Sequence, residues 1–330
     1  MHLTNNPARM TGAQAAVESL RREGVEYLFG VPGTTVLPIY DALWAQKAVK
    51  LIATRHEQGS AHMAEGYARA GHRPGVCMAS RGPGAANMAI GLHNAYAASS
   101  PVVALVGSVS TDICQRDAFE EMDLLTFYRP ITKWAVEVQR ADRIPEFIQR
   151  GVRASMAGRA RPVLVAVPQD LQEQEADMRF LPPAAGLQGG SEPAAEDVRR
   201  AVEVLAGAHR PIILVGGGVT WAGASELVAR LAEATGIPAI ATHSRKDNFP
   251  NEHPLFRGSL TGSSGAAPAT VAMAKEADVV LALGCRFSEF TTRRYTLFSK
   301  SRIVHVDIDP TEIGKVYTPE VAIVADLGRT

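Results

Sequence analysis

The feature that most restricts this chain is its punctuation: short apolar runs that each stop at glycine, proline or polar residues, with helix-spaced stretches between them. In the first half the runs are YLFGVPG, KLIATRHE, GVCMASRGPG, PVVALVGSVS and RPVLVAVPQD. Between them lie GSAHMAEGYARAG, GAANMAIGLHNAYAAS and RIPEFIQRGVRASMAG, and before them TGAQAAVESLRREGV, a helix from Thr11 capped at Gly24. Runs of this kind are strands of a buried parallel sheet, which needs helical crossovers between its strands. The second half repeats the scheme with RPIILVGGG, IPAIATH, ADVVLALGCRF and RIVHVDIDP, alternating with helices such as GASELVARLAEATG. This pattern predicts an α/β chain of two doubly wound, mainly parallel-sheet domains.

Length supports two domains, because 330 residues exceed what one core usually organises. The first is expected over 1–172. A stretch rich in proline, glycine and acidic residues, EQEADMRFLPPAAGLQGGSEP, suits a linker over 173–193, and the second domain takes 194–330. Lys and Arg balance Asp and Glu at 34 each, so no global field draws the chain to nucleic acid or an anionic membrane. Cys77, Cys114 and Cys285 are far apart and lack metal spacing, which suits reduced thiols in a cytoplasm. No signal peptide and no apolar run of ~18 residues is seen, so the expectation is a soluble, cytoplasmic protein.

Five motifs stand out chemically. In ATRHEQGSAHMAEGYARAG a strand gives way at Glu57 to a helix lined by small residues; a lone glutamate there could merely complement the helix dipole, for ~0.3–1 kcal/mol. SRGPGAAN has the glycines of a tight strand-to-helix turn whose amides could meet a ligand, or simply pack. The loop FGVPGTT and the segment QRDAFEEMDLLTFYRPITKWA complete the first half. In the second, Gly216, Gly217 and Gly218 follow a strand directly, without the wider spacing and later acidic partner of a full dinucleotide fingerprint. His243, His253 and His305 show no ligand spacing.

Together, Arg55-His56-Glu57 with Ala64-Glu65-Gly66-Tyr67-Ala68-Arg69, and Ser80-Arg81-Gly82-Pro83-Gly84-Ala85-Ala86-Asn87, resemble the pyrimidine-binding domain of thiamine-diphosphate enzymes of the acetolactate synthase type. The resemblance implies a role for Glu57: hydrogen-bonded to the pyrimidine ring nitrogen, it favours the imino tautomer that deprotonates the thiazolium carbon. It also implies that Ser80, Pro83, Asn87 and Phe119 lie near the cofactor, and that Pro32 and Gly33 lie beside a neighbouring subunit's cofactor. Glu120 stands where the family usually has glutamine, which by the resemblance puts an acid near the reacting carbon, and Glu120-Glu121-Met122-Asp123 resembles oxalyl-CoA decarboxylase instead; a glutamate on a solvated loop that touches nothing is the alternative. Lys133 is placed near the channel, with a purely structural lysine as the alternative.

For the second domain the resemblance to acetolactate synthase middle domains suggests FAD, with Arg129, Gly216, Gly217, Gly218, Thr242, Gly284, Arg286, Asp307, Ile308 and Asp326 as candidates. The family's Arg-Phe-Asp-Asp-Arg is replaced by Arg286-Phe287-Ser288-Glu289-Phe290, and related middle domains bind FAD, ADP or nothing. The family continues into a third domain that binds Mg2+ and the diphosphate. Its Gly-Asp-Gly signature does not occur here, and the one Asn-Asn pair is Asn5-Asn6. The expectation is therefore a truncated chain, or one that works with a separate polypeptide carrying that domain. Completed, it would act on a 2-oxo acid by decarboxylation or carboligation, as a homodimer or homotetramer. An acyl-CoA lyase and a noncatalytic nucleotide-binding or regulatory subunit are the other readings.

Overall fold

Thr11 shows how closely local chemistry sets the elements. The Gln14 amide donates to the Thr11 hydroxyl at 3.2 Å while the Gln14 side chain accepts the Thr11 amide at 3.0 Å, a reciprocal cap that starts the Gly12–Arg22 helix. At its other end the Gly24 amide bonds Arg21 O and the Val25 amide bonds Leu20 O, with Gly24 at φ +75°. That closure needs a left-handed residue, and glycine takes it without a Cβ penalty.

The computed structural model describes residues 7–182, 190–261 and 265–330. The chain divides into two compact units, Met1–Gln188 and Gly189–Thr330. The first contains strands β1 (Ala8–Thr11), β2 (Tyr27–Gly30), β3 (Lys50–Ala53), β4 (Gly75–Ser80), β5 (Val102–Ser108), β6 (Trp134–Glu137), β7 (Val163–Pro168) and β8 (Glu175–Met178). Six of these form one sheet in the order β3-β2-β4-β5-β7-β6, with every pair parallel. Because side chains alternate across a strand, Val76 and Met78 of β4 enter the core under the Gly12–Arg22 and Ile144–Met156 helices. Cys77 and Ala79 enter the opposite core, beneath the Glu57–Gly71 and Arg81–Ala98 helices. Burial on both faces is why β4 reads as an unbroken apolar run.

The second unit contains β9 (Pro211–Val215), β10 (Ala239–Thr242), β11 (Phe256–Leu260), β12 (Val279–Leu283), β13 (Arg302–Asp307) and β14 (Val321–Val324). All are parallel, in the order β11-β10-β9-β12-β13-β14. The winding reverses between β9 and β12, which makes the crevice at their C-terminal ends the topological switch point. Ile213 and Val215 face one core of this unit, Ile212 and Leu214 the other.

Two differences from expectation have local causes. The stretch 173–193 is not linker throughout: it opens with the end of the Gln169–Glu173 helix and continues into β8, which pairs antiparallel with β1, Thr11 opposite Glu175 and Ala8 opposite Met178. Its alternation rests on Ala176 and Met178 alone, among acidic neighbours, so composition conceals it. Phe180 and Leu181 are also buried, whereas 183–189, within the expected linker, and the Asn5-Asn6 pair lie outside the described residues. The other difference is that β6, β11 and β14 are strands no apolar run announced; β6 and β14 are sheet edges with partly exposed side chains.

Candidate functional site

In the first sheet the strands deliver their following loops to one edge, and the small residues of two helices decide what meets there. The Thr54 amide prolongs the β2–β3 pairing by donating to Gly30 O at 2.9 Å. His56 then stays extended and its Nδ1 accepts the Gln58 amide at 3.2 Å, so an imidazole caps the helix and Glu57 becomes its first residue. The Glu57–Gly71 helix packs through Ala61 against Gly91 of the Arg81–Ala98 helix; a Cβ on Gly91 would stand 2.5 Å from that of Ala61. This close crossing brings Asn87 to Glu57: Asn87 Nδ2 donates to Glu57 Oε2 at 3.0 Å.

The other carboxylate oxygen, Oε1, accepts no hydrogen bond among the described residues. Gly84 leaves room on that side, since a Cβ there would lie 3.4 Å from Oε1. Glu57 is thus a half-buried carboxylate with one oxygen fixed and the other free to hold a proton shared with a ligand. Tyr40, which sequence reasoning missed, lies nearby. Its buried hydroxyl has no partner, a Cβ on Gly30 would stand 2.7 Å from it, and burial first, then the Glu57 charge, push its ionisation up. No periodicity marks it, because in the sequence it is one more apolar position of the Leu37–Trp44 helix.

Gly33 and Ser80 also meet: a Cβ on Gly33 would be 2.3 Å from that of Ser80. The Ser80 hydroxyl lies 2.7 Å from Thr35 Oγ1 and accepts the Thr35 amide at 3.3 Å, so it ties the FGVPGTT loop to β4. Pro32 and Pro83 are exposed at the same edge. The segment after β5 returns there too. Its turn is organised by Glu121, whose carboxylate accepts the Gln115 amide at 2.7 Å and the Ala118 amide at 3.3 Å; the first of these holds the acid below the usual carboxylate range. The turn is pinned to the SRGPG loop where the Gly82 amide donates to Glu120 O at 3.0 Å, which leaves Phe119 exposed.

Lys133 is not with these residues. It precedes β6, at the sheet end opposite Glu57, and its Nζ donates to Ala157 O and, at 3.0 Å, to Arg159 O beyond the Ile144–Met156 helix. A lysine there satisfies carbonyls that a helix terminus leaves open. Arg129 lies in a turn of the first unit, apart in sequence from the other flavin candidates, all of which are in the second.

In the second unit Gly216, Gly217, Gly218, Thr242, Gly284, Arg286, Asp307, Ile308 and Asp326 all follow or end strands at the C-terminal sheet edge. The Gly216 amide donates to Leu283 O at 2.8 Å and the Gly218 amide to Gly284 O at 3.1 Å. A Cβ on Gly216 would stand 2.0 Å from Gly284 O, and one on Gly218 2.7 Å from Gly284 Cα, so these glycines let two loops touch. Gly217 is covered by Arg245, a buried guanidinium whose Cγ would lie 3.3 Å from a Cβ there, and which forks onto Asp247 at 3.0 and 2.9 Å. Asp307 accepts the Asp309 amide at 2.9 Å and Asp326 the Gly328 amide at 2.8 Å. His305 Nε2 meets Cys285 O at 2.9 Å, leaving Nδ1 buried without a partner; burial holds its pKa below the usual histidine value and pushes the Cys285 thiol up to about 12.

The chain matches two family descriptions: thiamine pyrophosphate enzyme, N-terminal TPP binding domain, over residues 10–127, and thiamine pyrophosphate enzyme, central domain, over residues 198–330. It is 42% identical to a probable acetolactate synthase large subunit of Methanocaldococcus jannaschii, over 96% of this chain and 54% of that protein. Similar relatives are a probable acetolactate synthase large subunit of Methanococcus aeolicus, 41% identical over 96% of this chain and 53% of its own, and the acetolactate synthase large subunit of Corynebacterium glutamicum, 39% identical over 97% and 51%. The chain spans about half the length of the curated relatives it matches.

Proposed function

The chain belongs to the thiamine pyrophosphate enzymes, carrying their N-terminal and central domains, and we propose on that premise that its first unit binds the aminopyrimidine ring of thiamine diphosphate for decarboxylation and carboligation of a 2-oxo acid. One observation carries this reading: Glu57 has one oxygen fixed by Asn87 and the other open above Gly84. When bound, the cofactor supplies a nucleophilic carbon and an electron sink. The protein supplies orientation and proton control. Asn87 donates to Glu57 Oε2 and so directs Oε1 outward, where it can hold a proton against a ring nitrogen. Pro32, Gly33, Pro83 and Phe119 wall the same edge.

Mg2+ and the diphosphate are assigned, as the resemblance implies, to a further domain of the kind that the relatives' additional length would hold. A homodimer or homotetramer, or a partner chain, would bring that part to Glu57. The second unit does not fit a flavin pyrophosphate on its glycine loop: two of the three amides are engaged by the neighbouring loop and the third glycine is covered by Arg245. The chemistry proposed for the first unit is therefore written without flavin. No described helix is long and apolar enough to cross a membrane, and the unpaired Cys77, Cys114 and Cys285 favour a cytoplasmic setting.

The test is product formation by this chain joined to a diphosphate-binding part. Acetolactate from pyruvate supports the reading. Cleavage of an acyl-CoA with no reaction of pyruvate would favour the second reading, for which Glu120 in place of glutamine is the motivating observation.

A further inference from the structure

Arg81 and Glu120 are oppositely charged residues that both sit in the left-handed backbone region, at φ +51° and +61°. Glycine takes that conformation without strain, and Gly82 is the next residue along. A long cationic side chain at such a position points to use of the side chain itself. The two backbones are locked together by the Gly82 amide on Glu120 O, at 3.0 Å, but the charged ends are not closed on each other. Arg81 Nη1 stands 4.0 Å from Glu120 Oε2, well beyond the 2.7–2.9 Å of a charge-assisted hydrogen bond. Arg81 Nε is buried with no partner, and the guanidinium lies 5.4 Å from the centre of the exposed Phe119 ring. The fork therefore has donors to spare. Gly84, beside Glu57 Oε1, and Asn87, which holds Oε2, follow on the same helix.

Resting on the functional reading above, we infer that Arg81 is a specificity-determining residue that binds the carboxylate of the acceptor substrate, with Glu120 as the internal anion that the acceptor displaces. In carboligation the donor 2-oxo acid loses its carboxylate as carbon dioxide. Its former carbonyl carbon bonds to the acceptor's carbonyl carbon, and the acceptor oxygen takes up one proton. The acceptor keeps its own carboxylate throughout, so a fixed cation can hold that group without opposing decarboxylation of the donor. An anionic acceptor entering beside Glu120 meets repulsion unless a guanidinium receives it, and a planar carboxylate matches the arginine fork. The exposed Phe119 ring would form the wall on which the acceptor rests.

The experiment compares two acceptors with one donor, pyruvate, in the protein joined to its diphosphate-binding part: 2-oxobutanoate, which carries a carboxylate, and propanal, which does not. The readout is the ratio of kcat/KM for the charged over the neutral acceptor. Arg81→Gln lowers this ratio about tenfold or more, Arg81→Lys restores part of it, and Glu120→Gln raises it. Arg81→Gly, which relieves the backbone, controls for folding and lowers the ratio as the Gln variant does. Equal losses toward both acceptors, or shifts of the same sign in the Arg81 and Glu120 variants, overturn the proposal alone. Absence of any carboligation by the unmodified protein overturns the functional reading and this proposal with it.

Discussion

Glu57 owes its position to two side chains, His56 capping its helix and Asn87 holding one of its oxygens. Asn87→Ala removes a charge-assisted hydrogen bond, so under the proposed function turnover by the chain joined to a diphosphate-binding part should fall by roughly tenfold with little change in thermal stability. Unchanged turnover would show that Glu57 needs no positioning. Tyr40→Phe carries the opposite expectation for stability: it removes a buried hydroxyl that has no partner and should raise the melting temperature in a thermal scan. His305 gives a pH dependence. Its folded pKa is lowered by burial, so its contribution is present above the unfolded value near ~6.5 and is lost as pH falls through and below that value. Melting temperature should therefore drop between pH 7.5 and 5, and the drop should shrink in His305→Asn, which can still donate to Cys285 O but binds no proton. Glu57 and Asn87 were legible in the sequence because their motifs are contiguous. Tyr40 and the Arg81–Glu120 pair were not, since their meaning arises only where β2, β4 and the loop after β5 converge.

At the scale of elements, the crossing of the Glu57–Gly71 and Arg81–Ala98 helices sets the site's geometry. Gly91→Ala places a Cβ 2.5 Å from Ala61, so the helices must separate, with a cost of about 1–3 kcal/mol. Asn87 lies one turn from Gly91 and moves with it, so a denaturant titration and a turnover assay should both register the change. A variant with wild-type stability and turnover would show that the contact relaxes without moving Asn87. The central strands were legible because strands buried on both faces are apolar throughout, as in β4, β5 and β12. Other strands gave no such signal: β14 alternates buried and exposed residues over only four positions, and β8 draws its register from β1, 166 residues away at the Arg9–Glu175 contact. Lys133 precedes β6 instead of following it and its ammonium donates to Ala157 O and Arg159 O, which favours the structural alternative that its sequence neighbours left open.

Across the whole molecule, two units with parallel six-stranded sheets use their C-terminal edges differently. The first leaves a carboxylate oxygen open; the second closes its glycine loop on Gly284 and Arg245. The purified protein should accordingly show no flavin absorbance, and retained stoichiometric flavin would contradict that assignment. The glycine triplet was conspicuous in sequence, but only the fold shows that two of its three amides bond a neighbouring loop. The most direct test of the central claim is Glu57→Gln in the protein joined to its diphosphate-binding part, read as deuterium exchange at the reactive carbon of bound thiamine diphosphate. Exchange should slow by about 10²–10⁴-fold with the cofactor still bound and the fold intact; exchange at the wild-type rate would rule out the role assigned to Glu57.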